Sequence, residues 1–286
     1  MKRLCAFLLF LSVATPCAWC AAAQPCLGDP ASSSRFSVYL IPRMAPTKLY
    51  RDWSPFLERL GKETGLCFEV HIPQDFSSFE YALHTGKADF AFLNPYQLVM
   101  VARSPGYVPL VRNREADGAG LLVVRKDSPI RDIHQLDGKH IAFPAPNAYF
   151  ASLLLRATLA RERIRITADY VGSHSNVYRA VALGTVEAGG GANTSLMSEP
   201  AELQAQLRVL FTTPSYMSHP FAAHSRIPPQ VREKFIAGFL KLADDAAGRD
   251  MLKAILIAQP VRADYSRDYR PVEKLRLERF VVTGGD

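Results

Sequence analysis

Between Gly120 and Tyr149 the chain reads GLLVVRKDSPIRDIHQLDGKHIAFPAPNAY, two short apolar strands separated by a charged connector and followed by the start of a helix. Leu121–Val124 and His140–Phe143 have β-branched or aromatic content and are bounded by Gly120, Pro129, Gly138 and Pro144, so both read as strands. Asn147 precedes Leu153, Leu154, Leu155 and Leu159, a position suited to an N-cap whose helix would turn free backbone N–H groups toward a cleft. A chain that repeats this order of strand, connector, strand and helix is confined to α/β architecture.

The repetition is present on both sides. Upstream the pattern predicts strands at Phe36–Ile41, Phe68–Ile72 and Asp89–Leu93, alternating with helices over Lys48–Thr64, Ser77–Thr85 and Pro95–Arg103. Such alternation implies a parallel sheet. Leu49, Trp53, Phe56, Leu57 and Leu60 share one face of the first helix and belong to a core, while Pro55 either kinks that helix or restarts it after Ser54. Strands at Tyr107–Val111 and Leu121–Val124 flank the glycines at 118 and 120, where a crossing into a second lobe is placed. That lobe continues through Ala168–Val171, a helix from Ser175, Val186–Gly189 and Leu207–Phe211. The chain then returns near Thr212–Phe221 to helices at Pro229–Leu242 and Ala246–Ile257. The expected division is a signal segment over 1–23, lobe one over 24–117 plus 216–286, and lobe two over 118–215. A hydrophobic share of 48% is enough to give each lobe its own core, and no Pro- or Ser-rich linker separates them.

The N-terminus, MKRLCAFLLFLSVATPCAWCAAAQ, has Lys2 and Arg3, an apolar run and then three alanines before Gln24, as a cleavable secretory signal does. The apolar run is shorter than the roughly 20 residues that span a bilayer. Lipid anchoring through Cys20 is the competing reading, opposed by the bulk of Trp19. Cleavage removes Cys5, Cys17 and Cys20 and leaves Cys26 and Cys67. In an oxidising compartment these two are expected to pair, since neighbouring strand starts would bring them together; two unpaired thiols are the alternative. The formal charge of +7 is scattered among acidic neighbours. It suits a solvated surface with mild attraction for anions, and lacks the clustering of a nucleic-acid interface.

Four segments carry a resemblance. DSPI (Asp127–Ile130) with QLDGKHIAF (Gln135–Phe143), ADFAFLNPYQLV (Ala88–Val99), VGSHSNVYRAVALGTVEAG (Val171–Gly189) and the closing SRDYRPVEKL are similar, in order and spacing, to periplasmic solute-binding proteins of the phosphate, phosphite and phosphonate family. The resemblance implies a two-lobe type II periplasmic binding protein fold with the ligand in the cleft between lobes. It implies a periplasmic monomer that captures a small anionic solute for an ABC permease. A sensory module reporting to a membrane sensor kinase is the alternative use of the same closure.

Carried onto these residues, the family site comprises Asn94 and Tyr96 after the third strand, His174 as the oxyanion donor, and Asn147, Ala148 and Tyr149 at the helix start of lobe two. Phe76 stands where many members have a tyrosine and so keeps the ring without the hydroxyl. Ala148, Tyr149 and Phe150 replace a Ser-Thr-Ser type run, leaving backbone donors and one phenol. Thr194 and His219 occupy positions where aminophosphonate binders carry acids, which argues against an aminophosphonate. Arg43, in the loop after the first strand, is a cleft candidate or a solvent-facing arginine. Gly189–Gly191 either lets backbone approach the ligand or forms a flexible turn. No nucleophile elbow, P-loop, HExxH or dinucleotide-binding turn occurs, and the seven histidines show no metal-ligand spacing. No catalytic residue, cofactor or metal is therefore expected.

Overall fold

The computed structural model describes residues 26–115 and 118–282. The signal segment, Cys17 and Cys20, and the end of the first stretch assigned to lobe one lie outside the described residues.

The chain opens with β1 (Leu27–Gly28), β2 (Arg35–Leu40), α1 (Pro46–Thr64), β3 (Cys67–His71), α2 (Phe76–His84), β4 (Phe90–Phe92), α3 (Pro95–Arg103) and β5 (Tyr107–Asn113). It crosses into β6 (Gly120–Arg125), β7 (Lys139–Phe143), α4 (Leu154–Arg161), β8 (Ile166–Tyr170), α5 (His174–Leu183), β9 (Ala188–Ala192), α6 (Asn193–Met197), α7 (Ala201–Gln204) and β10 (Leu207–Thr212). It returns through β11 (Phe221–His224), α8 (Pro229–Lys241), α9 (Ala246–Ala254), β12 (Pro260–Arg262) and α10 (Arg270–Glu273).

Two sheets result, β1-β3-β2-β4-β11-β5-β12 and β10-β6-β9-β7-β8. They are mixed rather than parallel as the alternation suggested. β2 runs parallel to β3 and β4, and β7 parallel to β8 and β9. β11 is antiparallel to both β4 and β5, because it comes back from the other lobe and enters the sheet at the cleft end. Where the two crossings meet, Gly118 and Tyr216 exchange backbone hydrogen bonds of 3.2 and 2.9 Å.

The apolar stripe of α1 is fully buried, and Gly65 closes the helix in the left-handed region at φ 60°. The helix runs unbroken through Pro55. Ser54 caps nothing and instead donates to Tyr50 O at 2.6 Å, so the restart expected there does not occur. Trp53 packs on Phe92 at 4.7 Å between ring centroids, and Phe90, Phe221, Phe235 and Phe239 continue the aromatic core of lobe one. Cys26 and Cys67 form a disulfide. The sequence looked to neighbouring parallel strands for this pairing, but the element that delivers Cys26 is β1, antiparallel to β3 with Gly28 opposite Cys67.

Lobe two is built around β6, whose alternate residues face opposite ways as strand geometry requires. Leu122 and Val124 join Ile141, Phe143 and Leu155 on one side, while Leu121 and Val123 join Val177, Tyr178 and Val181 on the other. The glycine run is strand β9, neither a turn nor a ligand-facing loop. A Cβ on Gly190 would stand 2.2 Å from Ala151 O, and one on Gly191 2.2 Å from the Tyr178 hydroxyl, so the glycines let helices pack directly on the strand.

Candidate binding site between the lobes

A cavity of about 510 Å³, open mouth included, lies where the C-terminal ends of the parallel strands meet the helix N-termini. That is where open α/β sheets place ligands. From lobe one, the loop after β2 contributes Ile41, Arg43 and Met44, the first turn of α2 contributes Phe76, and the turn after β4 contributes Asn94. His219, just before β11, and Leu256, just after α9, complete that side. From lobe two come Ala148 to Ala151 after β7, His174 at the start of α5, Ala192 at the end of β9, and Thr194, Ser195 and Ser198 after it. No Asp or Glu among the described residues lines the cavity.

The polar groups differ sharply between the two walls. Arg43 lies over the Phe92 ring at 5.4 Å, and its Nε and Nη2 are buried with no hydrogen-bond partner among the described residues. Loss of hydration pushes its pKa down to about 10, only partly countered by Asp52. Asp52 itself is engaged by Lys48 at 2.7 Å and Arg51 at 3.2 Å. The His219 ring rests against Phe92 at 5.5 Å and Phe150 at 5.7 Å. Burial first, and then Arg43 and His174, hold its pKa well below the ordinary imidazole value.

His174 is the first residue of α5, which Ser173 caps by accepting from Asn176 N at 3.2 Å. Its Nδ1 lies 3.0 Å from Ser195 Oγ, which is also 2.7 Å from the Tyr178 hydroxyl. Ser195 can donate to a neutral ring or accept from a protonated one, so it fixes the imidazole in either state and frees Nε2 for the cavity. Burial, followed by the charge of Arg43, pushes the pKa of His174 down to about 4. Tyr149 lines the cavity with a buried hydroxyl that has no partner among the described residues, and burial raises its pKa well above the usual phenol value.

Several sequence expectations need correction here. Asn147 neither caps a helix nor lines the cavity. The helix begins with a π-helical turn, Tyr149–Leu153, preceded by Ala148 with no side-chain cap. Asn147 Nδ2 donates instead to Glu80 Oε2 at 2.8 Å and to Val282 O at 2.9 Å, and its Oδ1 accepts from Val282 N at 3.0 Å. With Asn94 Nδ2 donating to its carbonyl at 3.3 Å, Asn147 is a polar latch between the lobes. Asn94 is the capping residue expected, but its Oδ1 accepts from Gln97 N at 2.8 Å, so its amide is committed on both sides. Tyr96 is 5% exposed and packs with Tyr149, Phe150 and Leu277 outside the cavity lining. Arg43, Phe76, Asn94, Ala148, Tyr149, His174, Thr194 and His219 are brought together around it.

Sequence reasoning missed Ser195, Met44 and Leu256 as lining residues. Ser195 could have been noticed only with knowledge that its partner His174 lies 21 residues earlier. Leu256 carries an unusual φ of 64°, which no sequence pattern signals.

The family described as the periplasmic phosphonate substrate-binding proteins of ABC transporters matches residues 38–269. Among solved structures, a binding protein component of an ABC phosphonate transporter from Pseudomonas aeruginosa is 17% identical with a TM-score of 0.76, covering 86% of this chain and 87% of that one. PhnD1 from Prochlorococcus marinus in complex with methylphosphonate is 16% identical with a TM-score of 0.77, covering 87% and 99%. A Xanthomonas citri protein bound to ATP is 19% identical with a TM-score of 0.71, covering 87% and 100%. At these identities the structural likeness shows the fold, the two-lobe type II periplasmic binding protein architecture, and the match along the sequence shows the family: this chain belongs to the periplasmic substrate-binding proteins of ABC phosphonate transporters.

Proposed function

We propose that this protein captures a small phosphonate- or phosphate-like anion in the periplasm, holds it between its lobes without turning it over, and presents the closed form to an ABC permease. The observation that carries the reading is Arg43, a buried guanidinium with two nitrogens that have no partner, in a cavity lined by no carboxylate, among the described residues. A buried cation left unpaired is costly, and an anion between the lobes removes that cost. Tyr149, His174 and the first-turn N–H groups of the lobe-two helix supply hydrogen-bond donors, in place of the hydroxyl run that other family members carry. Ile41, Met44, Phe76, Phe150 and Leu256 supply an apolar wall suited to a carbon substituent on phosphorus.

The same lining disfavours an amine, because Thr194 and His219 offer no counter-charge. Calorimetry with phosphate, phosphite, methylphosphonate and aminoethylphosphonate tests the reading. The expected result is binding of at least one of the first three, with aminoethylphosphonate at least ten-fold weaker than methylphosphonate. Tight aminoethylphosphonate binding, or no binding of any of the four, overturns it.

A further inference from the structure

A second cavity of about 650 Å³, mouth included, adjoins the first and shares Arg43, Phe150, Thr194, His219 and Leu256 with it. The shared side chains, Arg43 and His219 among them, border both chambers. A ligand as small as methylphosphonate would occupy one chamber and leave the other to water. The second chamber has its own polar equipment, not used by the reading above. Ser218 Oγ is buried there without a hydrogen-bond partner among the described residues. Asn113 has its carbonyl oxygen taken by Gln259 N at 2.9 Å, so its amide hydrogens are what it has left to offer. Lys253 stands at the rim, its ammonium 3.8 Å from Asp250 and largely exposed. This chamber too has no Asp or Glu in its lining among the described residues.

Donors and cations, with no acid among the described lining residues, describe a place for a second negative group. Resting on the reading given under Proposed function, we propose that the ligand is a phosphonate whose carbon substituent ends in a second anionic group, a phosphonocarboxylate, with phosphorus in the first chamber and the carboxylate in the second. Arg43, which lines both chambers, serves both ends. Ser218, Asn113 and Lys253 distinguish such a ligand from a simple alkylphosphonate.

The experiment compares phosphonoacetate and 3-phosphonopropionate with methyl-, ethyl- and propylphosphonate by calorimetry, on the intact protein and on the Ser218→Ala/Lys253→Gln double variant. The expected result is that one phosphonocarboxylate binds at least ten-fold more tightly than the alkylphosphonates. In the double variant that preference should shrink at least five-fold while the alkylphosphonate affinities stay within two-fold. If methylphosphonate binds but neither phosphonocarboxylate gains, the second chamber is not an anion site and the inference falls alone. The inference also falls if the preference survives in the double variant. If no phosphonate binds at all, the parent reading fails and takes this one with it.

Discussion

The two lobes meet the same cavity with different chemistry. Lobe one has an aromatic core around Trp53, Phe90, Phe221 and Phe235 and is stapled by the Cys26–Cys67 disulfide. It brings the cavity's guanidinium, Arg43, together with His219. Lobe two has two thinner apolar layers on either face of β6 and a glycine strand in place of side-chain bulk. It brings groups able to hydrogen-bond, the Tyr149 hydroxyl, His174 oriented by Ser195, and a helix start. The contrast separates attraction from discrimination: the larger lobe supplies the field, and the smaller one supplies the shape of the donor set. Between them the contact is partly polar, with Asn147 holding Glu80 of α2 and accepting from Asn94.

The largest test of this contrast concerns stability. The disulfide spans 41 residues, and loop-closure entropy for that length corresponds to about 4 kcal/mol. The Cys26→Ser/Cys67→Ser variant should lose about 2–4 kcal/mol in urea denaturation. Trp53 is the one tryptophan among the described residues and sits in the core of lobe one, so its fluorescence reports that lobe directly. A loss under about 1 kcal/mol would show that the large lobe does not depend on its staple.

Removing the field comes next. Arg43→Met should weaken binding of the preferred phosphonate by about 3 kcal/mol, the upper range for hydrogen bonds to charged groups. The unliganded variant should melt no lower than the parent, because an unpartnered buried charge has been replaced by an apolar chain. Equal binding in the two proteins would move the anion away from Arg43. On the opposite wall, His174→Ala should cost about 1.5–3 kcal/mol of binding, and a ligand indifferent to it would leave lobe two without its main side-chain donor.

Acidification probes both walls together. The facing groups are Arg43, His174 and His219, and both histidines have pKa values depressed in the fold, that of His174 to about 4. A depressed base is neutral in the native state while its unfolded counterpart begins to take up a proton near pH 6.5. Their stabilisation is therefore complete above about pH 6.5 and is lost as pH falls toward 4, at up to about 1.4 kcal/mol per pH unit for each histidine. An anion beside them raises both values, so binding takes up protons and affinity should increase as pH falls from 6.5. Calorimetry in buffers of different ionisation enthalpy measures that uptake; proton release on binding would contradict the proposed arrangement.

How much of this was legible depended on whether a signal was local. The alternation of strands and helices, the Asn94 cap and the buried face of α1 follow from periodicity and spacing, and the structure keeps them. Asn147 sits where a cap is expected, yet its side chain is claimed by Val282, 135 residues later, and by Glu80, 67 residues earlier. Local pattern carries no information about such partners. Tyr96 follows the same logic, since its ring is drawn into a cluster with Val272 and Leu277 of the C-terminal segment. The glycine run was ambiguous for the opposite reason: what it accommodates, Ala151 O and the Tyr178 hydroxyl, comes from helices on both faces of the strand.

The smallest expected effect concerns Tyr149, and its sign makes it informative. The hydroxyl is buried without a partner among the described residues, and an orphaned polar group of that kind costs about 1–3 kcal/mol. Tyr149→Phe removes the orphan and keeps the ring that packs on Phe150 at 4.8 Å, so the unliganded protein should gain about 1 kcal/mol. If the hydroxyl donates to the bound anion, the same substitution should weaken binding by about 1 kcal/mol, giving a variant that is more stable and less able to bind. Thermal melts with and without the preferred phosphonate separate the two contributions. A gain in stability with unchanged affinity would mean that the phenol faces away from the ligand, leaving His174 and the backbone donors to read the anion for lobe two.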